Sequence, residues 1–213
     1  MTECGCNHYT SKFDDEYAAG KLARYRAVGP DRSTRMLLHA ITEEGVEGRT
    51  LLDIGGGVGA VQHELLALGV TSAQEVEASP AYVAACHAEA ADRGHGGRIT
   101  HLSGDFGSVE DRVEVADIVT LDRSVCCWHD PLDLMDRAAA KARTIYGLVY
   151  PRDTWWVRYG WRTWGNARQA LKHSGLRLST PRTDEVLRVL GRHGLSRRHH
   201  EEVGVWQIEV YVK

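Results

Sequence analysis

Hydrophobic positions between residues 50 and 150 alternate between short runs of strand length and longer stretches with helical spacing. The short runs predict strands at 50–54, 73–77, 99–103, 118–121 and 144–150. The longer stretches, rich in Ala, Leu, Glu and His, predict helices at 61–68, 80–93 and 132–142. Strands that alternate with helices in this way are typical of βα units and a parallel sheet. We therefore predict an α/β fold with helices on both faces of a mostly parallel sheet.

Segments on either side of this core add further elements. Upstream, 15–26 and 33–41 predict two helices separated by Gly29-Pro30, with Ser33 as the N-cap of the second. Downstream, 184–193 predicts a helix, and 196–200 with 205–212 predicts a closing antiparallel hairpin around Gly204. We expect a single domain, 1–213, composed of an N-terminal helical lid (1–48), a core (49–150) and a C-terminal part (151–213).

The net charge of -3 hides an uneven distribution. Residues 1–150 hold 14 Lys and Arg against 23 Asp and Glu, whereas residues 151–213 hold 12 against 6. No stretch approaches the roughly 18 apolar residues of a membrane-spanning helix, and the polar start of the chain does not resemble a secretory signal. We therefore expect a cytoplasmic protein with no membrane partner.

The cysteines predict no structural site. The five are Cys4, Cys6, Cys86, Cys126 and Cys127, and none forms the CxxC pair of a zinc ribbon. We therefore expect neither a disulfide framework nor a structural zinc site. Cys4, Cys6 and His8 alternate, so they would face one side of an extended chain, and a metal or metalloid site there stays open as an alternative.

The glycine-rich loop after the first predicted strand is the most informative stretch. Glycines at this point let the chain turn sharply and bring backbone N–H groups close to a ligand at a helix N-terminus. Gly55, Gly57 and Ala60 also satisfy the dinucleotide fingerprint, with Glu77 at the distance of a ribose-binding acid. Asp53 decides between the alternatives, because its carboxylate would repel a pyrophosphate but hold the ammonium group of a cationic cofactor.

Four ordered motifs resemble those of class I S-adenosylmethionine-dependent methyltransferases. They are Leu51-Leu52-Asp53-Ile54-Gly55-Gly56-Gly57-Val58-Gly59, Glu75-Val76-Glu77-Ala78-Ser79-Pro80, Ser103-Gly104-Asp105-Phe106 and Asp117-Ile118-Val119-Thr120-Leu121-Asp122-Arg123. The resemblance covers about residues 49–150. It implies a Rossmann-like sheet, S-adenosylmethionine as the cofactor and S-adenosylhomocysteine as the product. The family often has a Cys after the first motif glycine, where this chain has Gly56.

The resemblance also implies which residues bind the cofactor. Glu77 would accept hydrogen bonds from both ribose hydroxyls, Asp105 would meet the adenine amino group, and Phe106 would pack on the ring. The complete implied set is Asp53, Gly55, Gly56, Gly57, Gly59, Glu77, Ala78, Ser79, Gly104, Asp105, Phe106 and Asp122. Simpler interpretations stay open for three of them: Asp53 as a helix cap, Asp105 as a loop acid and Phe106 as a core residue.

The acceptor side should lie beyond the fourth predicted strand. Methyl transfer is an in-line displacement in which the enzyme aligns the acceptor and, for a phenol or thiol, removes its proton. Residues 121–131 resemble a loop of small methyltransferases related to the quinone-ring and magnesium-protoporphyrin methylases. The family resemblance implies that Asp122 and Arg123 would face the methionine end and the transferable methyl, so we predict a catalytic role for them. We predict His129 as the general base. For His129, a role as a helix cap or as a cofactor contact stays open. For Cys126 and Cys127, the alternatives are a buried pair of small residues and a nucleophile or metalloid site.

A cluster of arginine and tryptophan follows the fifth predicted strand. Its members are Arg152, Trp155, Trp156, Arg158, Tyr159, Trp161, Arg162, Trp164 and Arg168. They would form a lid for a flat anionic molecule, stack on single-stranded nucleic acid, or pack against the sheet or a second copy in a homodimer. The sequence pI of 6.4 favours the small molecule. The helical lid, with Tyr9, Phe13, Tyr17, Tyr25 and Arg26, should supply another wall.

These observations predict a methyltransferase that acts on an oxygen, nitrogen or sulfur atom of a small aromatic or anionic metabolite. The predicted acceptor-binding residues are Tyr25, Trp128, His129, Trp155, Trp156 and Arg158. An enzyme that methylates RNA and a noncatalytic cofactor-binding protein are the alternatives. No residue in the sequence names the acceptor or the number of subunits.

Overall fold

The computed structural model describes residues 13–160 and 180–213, apart from the side chain of Arg158. The strands are β1 (Thr50–Ile54), β2 (Ser72–Glu77), β3 (Ile99–Ser103), β4 (Ala116–Asp122), β5 (Ala142–Pro151), β6 (Ser196–Val203) and β7 (Trp206–Val212). The helices are α1 (Asp15–Val28), α2 (Arg32–Glu43), α3 (Ala60–Ala67), α4 (Pro80–Asp92), α5 (Phe106–Val109), α6 (Pro131–Ala140), α7 (Trp155–Gly160) and α8 (Thr183–Arg192). The predicted strands, helices and hairpin are thus present, with ends that differ by a few residues.

The strands form one seven-stranded sheet in the order β3-β2-β1-β4-β5-β7-β6. The first five strands pair in parallel, and β7 pairs antiparallel with both β5 and β6. This arrangement confirms the predicted α/β sheet with a C-terminal antiparallel hairpin. The strand order reverses between β1 and β4, and in open α/β sheets the crevice at such a point binds ligands.

The core lies on both faces of the sheet. On one face Leu52 and Val119 pack with apolar residues of α6 and α8, and on the other Leu51 and Ile118 pack with α2 and α3. Parallel strands covered on both faces are apolar along most of their length. This explains why continuous apolar runs, rather than strict alternation, marked the strands in the sequence.

The predicted cap at Ser33 is wrong. Helix α2 begins at Arg32, its N-cap position is Asp31, and Ser33 is buried inside the first turn. The Asp31 side chain makes no capping bond either, because it accepts from Arg24 and Arg123 instead. A tertiary ion pair has therefore replaced the local interaction that the prediction assumed.

No helix in the described ranges has the length and apolar character needed to cross a membrane.

Candidate active site

A cleft of about 450 Å³ opens where β1, β2 and β4 end. The glycine loop, residues 55–59, forms one side through its first four residues, whereas the predicted Gly59 does not line the cleft, and α1 covers another side. The remaining wall comes from the segment after β4, which includes Cys126, Cys127 and Trp128. The cleft therefore lies at the crevice that the strand order predicts, and it joins three regions that are far apart in the sequence.

The glycine loop needs its glycines for conformation and for space. Gly55, Gly57 and Gly59 have φ values of 75°, 61° and 80°, in the left-handed region that side chains disfavour. A Cβ atom on Gly55 would also lie 2.4 Å from the Cβ of Ser124. The loop thus passes directly against the start of the segment after β4, and any larger residue at 55 would push the two apart.

Glu77 lies at the floor of the cleft in a fixed orientation. Its Oε1 accepts from the backbone N–H of Ser79 at 2.8 Å, and its Oε2 accepts from the backbone N–H of Gly57 at 3.1 Å. Burial raises its pKa to about 7. Because each carboxylate oxygen has two lone pairs, one on each oxygen is left to accept from a ligand hydroxyl.

Ser79 acts on the site indirectly. It is fully buried and is not among the residues that line the cleft. Its N–H holds Glu77, its hydroxyl accepts from the Tyr82 N–H at the start of α4, and the same hydroxyl donates to the Phe13 carbonyl oxygen at 2.9 Å. It therefore positions Glu77 rather than touching a ligand.

Asp53 is almost completely buried beneath the glycine loop. Its Oδ1 accepts from the Thr120 hydroxyl at 2.7 Å, whereas its Oδ2 has no hydrogen-bond partner. Burial, together with the nearby carboxylates of Glu75 and Asp122, raises the pKa of Asp53 to about 8. The alternative of a helix cap is not what the structure shows, since α3 begins at the Gly59 N-cap without a side-chain capping bond.

The predicted adenine-side residues serve two purposes. Asp105 lines the cleft and also caps α5, accepting from the Ser108 N–H at 3.1 Å. Phe106 is 1% exposed and belongs to the core, and it also borders the cleft. Ala78 and Gly104 lie along the same wall. Asp105 can therefore cap a helix and still face the cleft. Phe106 can likewise be a core residue and still border the cleft.

Asp122 and Arg123 fasten the start of α2 to the end of β4. Asp122 accepts from the Thr34 hydroxyl at 2.5 Å, and the Arg123 guanidinium donates to Asp31 at 2.6 Å and to Asp122 at 3.1 Å. Arg123 is also the one non-glycine residue in the described ranges with a left-handed φ, of 59°. We call Asp31, Thr34, Asp122 and Arg123 the Arg123 network, and it lines the cleft.

An aromatic cluster closes the cleft on the α1 side. The rings of Phe13, Tyr17 and Tyr82 lie with centroids 5.5 to 6.4 Å apart. Tyr25 also lines the cleft and donates its hydroxyl hydrogen to Glu64 at 2.7 Å, where burial raises its pKa above the ordinary value. Of the predicted wall, Arg26 instead pairs with Glu89 and Asp92, and Tyr9 lies outside the described residues.

The structure does not favour His129 as a general base. Its side chain is exposed, and no histidine of the described residues lines the cleft. The capping interpretation fails as well, because Asp130 caps α6 by accepting from the N–H groups of Leu132 and Asp133. The segment instead presents Trp128, Cys127 and the buried Cys126, whose thiol donates to the Arg123 carbonyl oxygen at 3.4 Å.

The described part of the arginine and tryptophan cluster lies away from the cleft. Trp155 and Trp156 are 81% and 44% exposed and do not line it. The Arg158 side chain, Trp161, Arg162, Trp164 and Arg168 lie outside the described residues. Trp206 of β7, which the sequence did not single out, lines the cleft instead.

Comparison with known proteins identifies the fold. No protein-family model matches the chain, and no curated protein matches it in sequence. A magnesium protoporphyrin IX methyltransferase from Synechocystis with bound S-adenosylhomocysteine aligns at a TM-score of 0.68 and 14% identity, over 93% of this chain and 97% of that one. An O-methyltransferase family protein from Burkholderia thailandensis aligns at a TM-score of 0.71 and 14% identity, over 95% of this chain and 61% of that one. The chain has the class I methyltransferase fold.

The methyltransferase fold also supports other chemistry. A (4+2)-cyclase aligns with this chain at a TM-score of 0.63 and 16% identity, over 84% of this chain and 80% of that one. A shared fold therefore confirms the architecture that the motifs implied, while the reaction has to be argued from the residues of the cleft.

Proposed function

We propose that this protein is an S-adenosylmethionine-dependent methyltransferase that methylates an oxygen, nitrogen or sulfur atom of a small aromatic or anionic metabolite. The observation that carries the proposal is Glu77. Its carboxylate is fixed by two backbone N–H groups on the floor of the cleft, beside the glycine loop, with lone pairs left for a diol. The Synechocystis methyltransferase, which has the same fold, has been solved with S-adenosylmethionine bound.

The remaining residues fit a cationic cofactor. Asp53 supplies a buried carboxylate whose Oδ2 is unpartnered, and ionisation of this group would be favoured by a positive charge in the cleft. Asp105, Phe106 and Ala78 form the wall where the adenine would lie. When bound, the cofactor would supply the activated methyl group, and the protein would align the acceptor with it and exclude water.

The acceptor would lie between the α1 aromatics and the segment after β4. Phe13, Tyr17 and Trp128 present flat apolar surfaces there, while Lys21 on α1 adds positive charge and Arg24 is paired with Asp31. Such a lining suits an aromatic molecule with an anionic group. No histidine of the described residues is placed to remove a proton, so alignment and desolvation would carry the reaction, with Asp122 and Arg123 shaping the methyl end of the cleft.

Calorimetry of S-adenosylmethionine binding tests the proposal. In Glu77→Ala the cofactor loses two charge-assisted hydrogen bonds, so we expect an affinity at least about 50-fold lower than that of the unchanged protein. Glu114→Ala is the matched control, since Glu114 is exposed and remote from the cleft. Equal affinity in the unchanged protein and Glu77→Ala would refute the ribose assignment.

Screening of acceptors with mass detection of methylated products separates an enzyme from a cofactor-binding protein. Formation of S-adenosylhomocysteine with an aromatic acid would support the proposal. Tight cofactor binding without turnover on any acceptor would point to the noncatalytic alternative.

Exposed aromatics on α7 favour RNA as the second candidate acceptor. Trp155, Trp156 and Tyr159 are exposed, and the Arg152 guanidinium lies 5.8 Å from the Trp156 ring centroid. Rings and arginines of this kind stack on unpaired bases. An RNA substrate would bind with an affinity that falls steeply with salt, whereas the affinity for a small aromatic acid would change little.

A further inference from the structure

A row of polar side chains crosses the sheet beneath the glycine loop. Thr120 of β4 is in register with Asp53 of β1, Asp53 with Glu75 of β2, and Glu75 with His101 of β3. Residues in register on neighbouring strands point to the same face. The row two residues earlier on this face holds Leu51, Ala73 and Ile118, and covered parallel strands are apolar along most of their length. The row two residues later holds Glu77 and Asp122, which line the cleft. Four adjacent polar residues therefore need an explanation.

Helices α3 and α4 cover this row with further polar side chains. Gln62 and His63 come from α3 and Cys86 from α4, and all three are fully buried. Cys86 donates to Gln62 Oε1 at 3.8 Å, and His101 Nδ1 forms a hydrogen bond with Glu75 Oε2. The result is a compact group of nitrogen, oxygen and sulfur atoms in the interior.

Several atoms of this group have no hydrogen-bond partner. Glu75 Oε1, Asp53 Oδ2, Gln62 Nε2 and His63 Nε2 are all buried and unpartnered. Gly56 marks the common point toward which three of them face, since a Cβ there would lie 2.6 Å from Gln62 Nε2, 2.8 Å from Asp53 Oδ2 and 3.2 Å from Glu75 Oε1. Buried polar atoms normally find partners, and a cation would satisfy Glu75 Oε1, because a carboxylate oxygen accepts whereas Gln62 Nε2 is a donor.

Three of the side chains have the chemistry and the spacing of metal ligands. Donor atoms of Glu75, Cys86 and His101 all lie within 4.8 Å of one another. Two ligands of one tetrahedral zinc ion are separated by roughly 3.3 to 3.8 Å, as bond lengths of about 2.0 to 2.3 Å require. Small side-chain movements would bring the three atoms to that spacing.

We propose that Glu75, Cys86 and His101 bind a divalent transition-metal ion, for which Zn²⁺ is the best match. A thiolate, an imidazole and a carboxylate are the ligand types that zinc takes in proteins, and a thiolate disfavours Mg²⁺ and Ca²⁺. The ion would replace the hydrogen bond between His101 and Glu75 by a bond to each. Gln62 Oε1, which lies beside the Cys86 thiol, or a water molecule would complete the coordination.

The position of the site gives the ion a structural role. A Cβ on Gly59 would lie 2.7 Å from Cys86 Sγ and 2.9 Å from His63 Nε2, so the glycine loop rests directly on these side chains. An ion bound to β2, β3 and α4 would hold the support of the loop in place. The site would act without touching a ligand in the cleft.

Cobalt substitution of the full chain tests the proposal. The protein carries Cys4→Ser and Cys6→Ser, so that the two N-terminal thiols cannot contribute, and it is stripped with a chelator and titrated with Co²⁺ or Zn²⁺. We expect one ion per chain, a thiolate-to-cobalt absorption band, and displacement of Co²⁺ by Zn²⁺. Cys86→Ser should abolish the band, and Glu75→Gln and His101→Gln should weaken Zn²⁺ binding by at least about tenfold.

Matched controls keep the test decisive. Cys127→Ser and His39→Gln remove a thiol and an exposed imidazole elsewhere and should leave the cobalt band and the Zn²⁺ affinity unchanged. If Cys86→Ser does not fold, a chain in which Cys4, Cys6, Cys126 and Cys127 are all changed to Ser leaves Cys86 as the sole thiol, and it should retain the band. Absence of bound metal in the parent protein, or a band that survives in folded Cys86→Ser, would overturn the proposal.

Discussion

Two buried carboxylates dominate the chemistry of individual residues. Asp53 and Glu77 stand at the ends of neighbouring strands, and burial raises the pKa of both. They differ in their partners, because Glu77 accepts two backbone N–H groups whereas Asp53 has one free oxygen. Glu77 is therefore held ready to accept hydrogen bonds from a ligand. The folded protein without a ligand stabilises the negative charge of Asp53 poorly.

The raised pKa of Asp53 predicts a pH-dependent cost to stability. With a folded pKa of about 8 against an ordinary value of 3.8, the native state holds a proton that the unfolded state has lost across this window. The free energy of unfolding therefore falls as pH rises from about 4 to about 8. Asp53→Asn keeps an oxygen for the Thr120 hydroxyl and removes the titration, so it should exceed the parent protein in stability by about 2 to 3 kcal/mol at pH 8.5.

Urea unfolding of the two proteins, both first stripped of metal with a chelator, at pH 5 and pH 8.5 measures this difference. The advantage of Asp53→Asn should be small at pH 5 and grow with pH, while Asp111→Asn, at an exposed position, should show no such trend. A constant difference between Asp53→Asn and the parent protein at both pH values would contradict the assignment.

At the scale of elements, the sequence located strands well and their ends less well. Strand β4 was predicted at 118–121 but runs from Ala116 to Asp122, because Asp117 interrupts the apolar pattern. In the fold that carboxylate accepts from the Thr50 N–H at 2.9 Å, so it is satisfied inside the sheet. The Ser33 cap failed for the same reason: a tertiary partner outweighed a local preference.

The glycine loop is the element whose local conformation matters most. Gly55→Ala would combine a left-handed φ with a contact of 2.4 Å to the Ser124 Cβ, whereas Gly94→Ala has a similar φ of 70° and open space around it. We expect Gly94→Ala to cost about 1 kcal/mol, from backbone strain alone, and Gly55→Ala to cost about 3 kcal/mol or more. Chemical denaturation compares the free energies of unfolding of the two variants. Equal losses of stability would show that Ser124 moves aside without destabilising the protein.

At the scale of the whole molecule, part of the candidate site can be predicted from the sequence. Asp53 and Glu77 lie near the carboxyl ends of their strands, and the glycines and Asp105 follow strand ends, so their convergence comes from the parallel topology itself. The Arg123 network cannot be predicted in this way, since Thr34 and Asp122 are 88 residues apart in the sequence and Asp31 and Arg123 are 92 residues apart. Pairings of this length depend on how α1 and α2 pack. The metal ligands Glu75, Cys86 and His101 likewise belong to three separate elements.

The charge division has a more ordinary explanation than the one the sequence suggested. Several arginines of the basic C-terminal part pair with acids: Arg197 with Glu209, Arg192 with Asp136, and Arg152 with Glu202. Positive charge near the acceptor side of the cleft comes instead from Lys21 on α1, since Arg24 on the same helix pairs with Asp31. The charge of residues 151–213 therefore gives little support to an anionic acceptor, and Lys21 is the better argument.

The Arg123 network connects the start of α2 to the end of β4 beside the cleft, and Arg24 joins its Asp31 to α1. Arg123→Gln removes the ion pair with Asp31 and the bonds to Asp122 and Thr34, so α1 and the start of α2 should open more often. Hydrogen exchange followed by mass spectrometry should show faster exchange in 15–34, by about tenfold, with no change in α6 or β7. Arg32→Gln, at an exposed neighbouring position, is the control.

Saturating S-adenosylmethionine should restore part of the protection, because a ligand enclosed by α1 stabilises the closed arrangement. Exchange that rises equally throughout the chain would mean that Arg123 contributes to global stability instead of holding the helices over the cleft.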